Sequence, residues 1–145
     1  MELQKFVMNE GVFDVPMELK DQTLNILSMP NGKGFSISVS RDEMPWGMTF
    51  EEFALAEYQK LSDAFNDFEE LERFIIEIEK QRSPVFHFHW NSPQGKLAQI
   101  LIMIECSKNV LIITASAKDS ISKNQKEQIK QIFGSFTREK SENME

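Results

Sequence analysis

Apolar and polar residues alternate in several short stretches of the chain, and a period of two is typical of β-strands. Two such runs, Gln22–Met29 and Phe35–Ser40, flank a segment rich in Pro, Asn and Gly, so together they predict a β-hairpin. Further alternation predicts a short strand through Val12 and Phe13, stopped at Pro16, and another strand at Glu77–Glu79. Later runs joined by short turns predict an antiparallel meander of three strands, at Val85–Trp90, Leu97–Glu105 and Val110–Ala117.

Two segments follow the helical period instead. Thr49 and Glu52 have the spacing of a capping box, which predicts a helix over about Phe50–Ala64 with an apolar stripe. A second apolar stripe predicts a helix over about Ile121–Phe136, capped by Asp119 or Ser120. The order strands, helix, strands, helix favours an α+β fold, with an antiparallel sheet and the helices packed on one face of it.

The length of 145 residues predicts one domain over residues 1–136, followed by a polar tail over residues 137–145 that we expect to be disordered. The sequence has neither a signal-peptide pattern at its start nor an apolar run long enough to span a membrane. Cys106 is the single cysteine, so no internal disulfide points to an oxidising compartment, and we expect a cytoplasmic protein. A net charge of −7 argues against binding to nucleic acid or to an anionic membrane.

The sequence offers little catalytic chemistry. His87 and His89 would share one face of a strand and could begin a metal site, although no third ligand lies near them in sequence. Cys106 with either histidine could form a nucleophilic dyad, but it follows a strand and not a helix N-terminus that would activate it. We therefore expect neither an enzyme nor a metal or cofactor, and favour a binding surface; the dyad and the metal site remain alternatives.

The predicted sheet has more apolar surface than two helices can cover. In Phe35–Ser40 the apolar residues occupy one face and serines the other, whereas Leu97–Glu105 is largely apolar on both faces. A face left open in this way would suit an apolar helix from a partner. Loops, the Trp46 segment or a dimer partner could cover the same face instead. The residues that this pattern assigns to the open face are Leu24, Ile26, Ser38, Leu97 and Gln99.

Several segments in this order resemble one known family. They are NEGVFDVP, KDQTLNILSMP, FSISVSRD, MTFEEF, FHWNSPQGKLAQILIMI and LIITASA, spread from Asn9 to Phe136. The most specific are Asp21–Ile26, Ser40–Asp42 and Trp90–Gln99. The chain is similar in these segments to the Eag chaperones of bacterial type VI secretion, which are DcrB-like proteins encoded beside secreted toxins.

The resemblance implies a PsbP-like α+β sandwich, a homodimer and no catalytic activity. It implies a cytoplasmic chaperone or adaptor that shields the N-terminal transmembrane helices of an effector carrying a PAAR domain and promotes its loading on the secretion spike protein. The groove residues it implies are Leu24, Ile26, Ser38, Glu57, Phe65, Leu97 and Gln99. Glu57 and Phe65 come from the resemblance alone, and relatives can carry a glutamine and a branched apolar residue where Glu57 and Ser38 stand. The alternative is a non-catalytic assembly module of the same fold that acts on a soluble folded partner.

Overall fold

The computed structural model describes residues 2–30, 34–107 and 109–138. These residues form eight strands and two helices. In chain order the elements are β1 (Leu3–Met8), β2 (Gly11–Pro16), β3 (Asn25–Leu27), β4 (Ser36–Asp42), α1 (Phe50–Ala64), β5 (Glu69–Ile78), β6 (Gln81–Ser92), β7 (Gly95–Glu105), β8 (Val110–Lys118) and α2 (Lys123–Gly134).

The strands form two antiparallel sheets. β1 and β2 make a separate hairpin, and the other six strands form one sheet in the order β3-β4-β8-β7-β6-β5. The meander predicted from β6 to β8 is therefore present, and the predicted β3–β4 hairpin adds to its β8 edge. The expected α+β fold with an antiparallel sheet is confirmed.

The two helices cover opposite faces of the large sheet, so the expectation of helices on one face is wrong. On one face, Ile129 and Phe133 of α2 belong to a cluster with the isoleucines of β7. On the other, Phe53 and Tyr58 of α1 pack in a cluster with Leu101 and Met103 of the same strand. Because β7 is apolar on both faces, each face needs a cover to keep these side chains out of water.

The helix starts follow from local capping chemistry. At α1 the Glu52 amide donates to Thr49 Oγ1 at 3.1 Å, and the Thr49 amide donates to Glu52 Oε1 at 3.1 Å. This reciprocal pair gives the predicted start at Phe50. At α2 the cap is Ser122, paired in the same way with Gln125, and not Asp119 or Ser120.

Two strands differ from the sequence expectation. β5 extends over Glu69–Ile78, although the pattern predicted a strand for its last residues alone. It is an edge strand with charged residues at many positions, which hides the alternation of the buried side chains. β1, which the sequence pattern did not predict, pairs with β2 along its whole length.

The folded chain continues past the expected domain end at Phe136. The guanidinium of Arg138 donates to the carbonyl oxygen of Glu105 at 2.7 and 3.1 Å and to Glu79 Oε1 at 2.9 Å. These bonds attach the first residues of the expected tail to the ends of β5 and β7. Residues 139–145, the rest of that tail, lie outside the described residues, as do residues 31–33 of the predicted β3–β4 turn.

Candidate functional site

Helix α1 covers its face of the sheet incompletely. Below the helix, Leu101 and Met103 of β7 are 3% and 0% exposed. Toward β3, the side chains on the same face are half-buried hydroxyls, including Ser38 and Ser40 of β4 and Thr114 of β8. The sequence pattern predicted a whole open sheet face, and the structure leaves open only the part of that face that α1 does not cover.

A groove of about 220 Å³ runs along this boundary. One wall is the inner side of α1 and its C-terminal cap, and the base and the far side are strands of the large sheet. The residues that line the groove are Ser40, Glu57, Leu61, Phe65, Phe88, Gln99, Leu101, Met103, Ile112 and Thr114. Its surface therefore combines apolar side chains with isolated hydroxyl, amide and carboxylate groups.

The register of the strands extends this surface to the sheet edge. Ile26 lies opposite Ser38, Ser38 opposite Thr114, and Thr114 opposite Leu101. Directly paired residues of antiparallel strands point to the same face. A continuous strip thus leads from Ile26, which is 64% exposed, to Leu101 under the helix.

The Gln99 side chain is held in place within the groove by two neighbours. Trp90 Nε1 donates to Gln99 Oε1 at 2.7 Å, and Gln99 Nε2 donates to Ser116 Oγ at 2.9 Å. The Trp90 indole stacks on Phe65 with ring centroids 3.8 Å apart. Two of the predicted residues, Phe65 and Gln99, are therefore linked through Trp90 and form one fixed corner of the groove.

A polar contact on the opposite side of α1 fixes the helix on the sheet. The Tyr58 hydroxyl donates to Glu70 Oε1 at 2.8 Å, and Arg73 Nε donates to the same oxygen at 2.9 Å. The hydrogen bond from Tyr58 lowers the pKa of Glu70, while burial raises the pKa of Tyr58. The pair attaches α1 to β5, so the width of the groove does not depend on apolar packing alone.

The seven residues predicted for the site do not all meet in the groove. Glu57, Phe65 and Gln99 line it. Ile26 and Ser38 lie on the strip that continues from it.

Leu97 and Leu24 lie apart from these five. Leu97 is on the same sheet face and is paired with Trp90, nearer the start of β7 than Gln99, and it does not line the groove. Leu24 is 54% exposed and lines a second cavity of about 840 Å³, which adjoins the groove at Ser40. Most of the residues that line this cavity are polar or charged, and one of them, Arg41, donates through Nη1 to Asn25 Oδ1 at 2.8 Å.

Four groove residues, Leu61, Met103, Ile112 and Thr114, are not among the seven predicted from the sequence. Leu61 lies in the apolar stripe of α1 and Met103 in the apolar run of β7, and neither pattern distinguishes a groove residue from a core residue. Ile112 and Thr114 alternate along β8 in step with the serines of β4. Knowledge that β4 pairs with β8 would have identified them, but that pairing joins strands far apart in the chain.

The residues considered for catalysis lie elsewhere. His87 is opposite Ile100 and therefore faces α2, on the side of the sheet away from the groove. Cys106 is six residues further along than Ile100, which on an extended strand is about 20 Å. Burial raises the pKa of its thiol. This separation excludes a dyad of Cys106 with His87, and within residues 2–30, 34–107 and 109–138 no three His, Cys, Asp or Glu residues gather as metal ligands would.

Neither α1 nor α2, the helices of the described chain, is long and apolar enough to cross a membrane. No curated protein matches the chain in sequence.

Among solved structures, the chain is similar to PA94 from Pseudomonas aeruginosa, a protein of unknown function. The two share 19% identity and a TM-score of 0.76 over 97% of this chain and 100% of the other, which shows a common fold. The chain also matches cyanobacterial PsbP (CyanoP) from Synechocystis sp. PCC 6803, with 10% identity and a TM-score of 0.47 over 90% of this chain and 86% of that one. The family model of DcrB matches residues 10–135, and the chain therefore belongs to the DcrB family.

Proposed function

We propose that this DcrB-family protein is a non-catalytic binding protein whose groove beside α1 holds an apolar helix of a partner. The observation that carries the proposal is the strip of apolar and hydroxyl side chains that leads from the exposed Ile26 into the groove. Such a strip is complementary to a helix, which would place its own apolar residues at i, i+3, i+4 and i+7 against the sheet.

The dimensions of the groove limit how a guest helix lies. One turn of an α-helix with its side chains occupies about 400 Å³, more than the groove of about 220 Å³ contains. The guest therefore lies along the rim and inserts a few side chains. The hydroxyls of Ser40 and Thr114 can then bond to small polar residues of the guest, as serine and threonine do between helices in a membrane.

The finer proposal concerns the source of that helix. The sequence segments that resemble the Eag chaperones, including Asp21–Ile26 and Trp90–Gln99, support a role in type VI secretion. In this role the protein is a cytoplasmic chaperone that shields the N-terminal transmembrane helices of a PAAR-containing effector. It then promotes loading of the effector on the spike protein.

A homodimer is part of the same proposal, and the β1–β2 hairpin supports it. Leu3, Val7 and Val12 are 53%, 71% and 56% exposed on one face of the hairpin, and Phe13 is 50% exposed on the other. The hairpin pairs with no strand of the large sheet, and its two phenylalanines, Phe6 and Phe13, pack on each other with ring centroids 5.4 Å apart. Because an isolated two-stranded hairpin is at best marginally stable in water, a second copy of the chain is a natural partner for it.

One observation favours the alternative of a folded protein partner. Trp46, in the loop between β4 and α1, is fully exposed. Exposed tryptophans are frequent anchors of protein–protein interfaces. If this loop captures a folded domain, deletion of apolar helices from the partner leaves binding intact, whereas binding in the groove requires those helices.

Co-purification tests the proposal directly. We expect the protein to co-purify with the apolar N-terminal segment of the PAAR effector encoded beside it, and Ile26→Asp, on the strip that leads into the groove, to abolish this while leaving the fold intact. The Ile26 side chain is 64% exposed, so we expect an unfolding free energy within about 0.5 kcal/mol of the unchanged protein. Leu55→Asp is the matched control, because Leu55 is 55% exposed on α1 but does not line the groove. If Ile26→Asp retains the segment as well as Leu55→Asp does, the guest does not lie along the strip that leads into the groove, and the proposal fails.

A further inference from the structure

The groove contains one formal charge among the described residues that line it. Glu57 projects from α1 beside Leu61 and Phe65, and the remaining lining residues are apolar or neutral. Its side chain is 24% exposed, so the carboxylate lies at the rim and keeps partial access to water. Lys60 Nζ lies 3.1 Å from Glu57 Oε1, on the same helix, with its own side chain 74% exposed.

A guest helix over this rim would remove water from the carboxylate. Burial of a charge is unfavourable unless an opposite charge or several hydrogen-bond donors replace the lost water. Lys60 compensates only in part, because its side chain is 74% exposed and its own charge stays in water. Ser40 and Thr114 on the far wall contribute neutral hydroxyls. A wholly apolar guest would therefore bind with an incompletely compensated charge in its interface.

We propose that the partner helix carries one basic residue, lysine or arginine, at the position that packs against Glu57. This inference rests on the proposed function and specifies the chemistry of its guest: an apolar helix with a single cation. A long basic side chain can pack its methylenes on Leu61 and Phe65 and bring its charge to the rim. The protein's net charge of −7 adds to the attraction for such a guest. Glu57 is thus a specificity-determining residue.

Binding of synthetic peptides to the full chain tests the inference. The neutral probe is a helical peptide of about 18 residues of Leu, Ala and Ser, with a neutral polyethylene glycol tail for solubility. Four further peptides carry Arg at four successive central positions, so that one of them faces Glu57 whatever the rotation of the helix. Fluorescence anisotropy gives each dissociation constant.

We expect the best Arg peptide to bind about tenfold more tightly than the neutral peptide, because it pairs with a partly buried carboxylate. Glu57→Gln, which keeps the shape of the side chain, should remove most of this preference and leave binding of the neutral peptide within about twofold. Glu51→Gln is the matched control. It removes the same charge from the same helix, but Glu51 does not line the groove, so the preference should remain.

The outcomes separate this inference from the function on which it rests. If neither the neutral nor any Arg peptide binds, the proposed helix-binding function fails and the inference fails with it. If all peptides bind equally, or if Glu51→Gln removes the preference as fully as Glu57→Gln, the groove binds helices but Glu57 does not select a basic residue. If Glu57→Gln weakens every peptide alike, Glu57 has a structural role and the inference is wrong.

Discussion

Trp90 donates its indole hydrogen to the side-chain oxygen of Gln99 at 2.7 Å, across neighbouring strands of the large sheet. The amide of Gln99 in turn donates to Ser116 at 2.9 Å, so each polar atom of this side chain already has a partner in the absence of a guest. Gln99 is therefore held in one orientation before binding. Its second amide hydrogen and its other oxygen lone pair are left for a guest.

We expect Gln99→Ala to lower the free energy of unfolding by about 1–2 kcal/mol, because it removes two hydrogen bonds at partly buried sites. Ser116→Ala removes one of them and should cost about half as much. Urea denaturation measures both changes. The same Gln99→Ala variant should weaken guest binding by only about 0.6 kcal/mol, the typical value of a polar contact between helices in a membrane. A large loss of binding without loss of stability would mean that Gln99 acts mainly on the guest.

The fold followed from local patterns wherever those patterns were strong. Thr49 and Glu52 gave the start of α1, alternation gave β4 and β6, and apolar runs between short turns gave β7 and β8. The alternation did not indicate which helix covers which face of the large sheet. Leu97–Glu105 is apolar on both faces, and the two interleaved sets of side chains turn out to be covered by different helices.

The residues of the site could be predicted where they lie directly opposite each other on strands that follow one another in the chain. Ser38 and Ile26 share a hairpin, so their common face followed from its register. Thr114 and Ile112 enter the groove through the pairing of β4 with β8, strands about half the chain apart, which leaves no local signal. The bond between Trp90 and Gln99 lies within one hairpin, but it is diagonal, because Trp90 is directly opposite Leu97, and alternation does not indicate it.

Stability should depend on pH through His87. This side chain is 8% exposed, and its Nε2 is buried without a hydrogen-bond partner in the described structure. Burial is the main cause that lowers the pKa of His87, followed by the charge of Lys126 and then that of His89, while Glu72 raises it. The unfolded chain therefore binds this proton more readily than the folded protein. The free energy of unfolding should fall as the pH drops below about 6.5, the pKa of an exposed histidine, and continue to fall down to the lowered pKa.

Thermal or urea unfolding between about pH 7.5 and 5.5 measures this dependence, since ordinary carboxylates titrate at lower pH. His87→Leu should flatten the curve in that range. His89→Gln is the control, because His89 lies two residues further along the same strand, where its Nε2 is 3.4 Å from Glu69 Oε2. The account of His87 is wrong if His87→Leu keeps the full pH dependence or if His89→Gln alone removes it.

The proposed dimer should depend on the β1–β2 hairpin. Val7 and Val12 lie opposite each other on the face that also carries the ion pair of Lys5 and Asp14, at 2.7 Å. Changing both valines to serine should raise the dimer dissociation constant at least about a hundredfold, because two apolar side chains per copy lose their burial. Sedimentation velocity over a range of concentrations measures the constant, and Leu55→Ser serves as control. A monomer at all concentrations, or a dimer that the valine changes leave intact, would contradict the role of the hairpin.

Site-specific photo-crosslinking tests the central proposal, that a partner helix lies in the groove beside α1. A photoreactive residue in place of Thr114, which lines the groove but not the larger cavity, is compared with one in place of Leu55, which lines neither. The account predicts that the Thr114 position crosslinks to the apolar N-terminal segment of the co-expressed effector and that the Leu55 position does not. Crosslinks to that segment from Leu55 but not from Thr114 would contradict it.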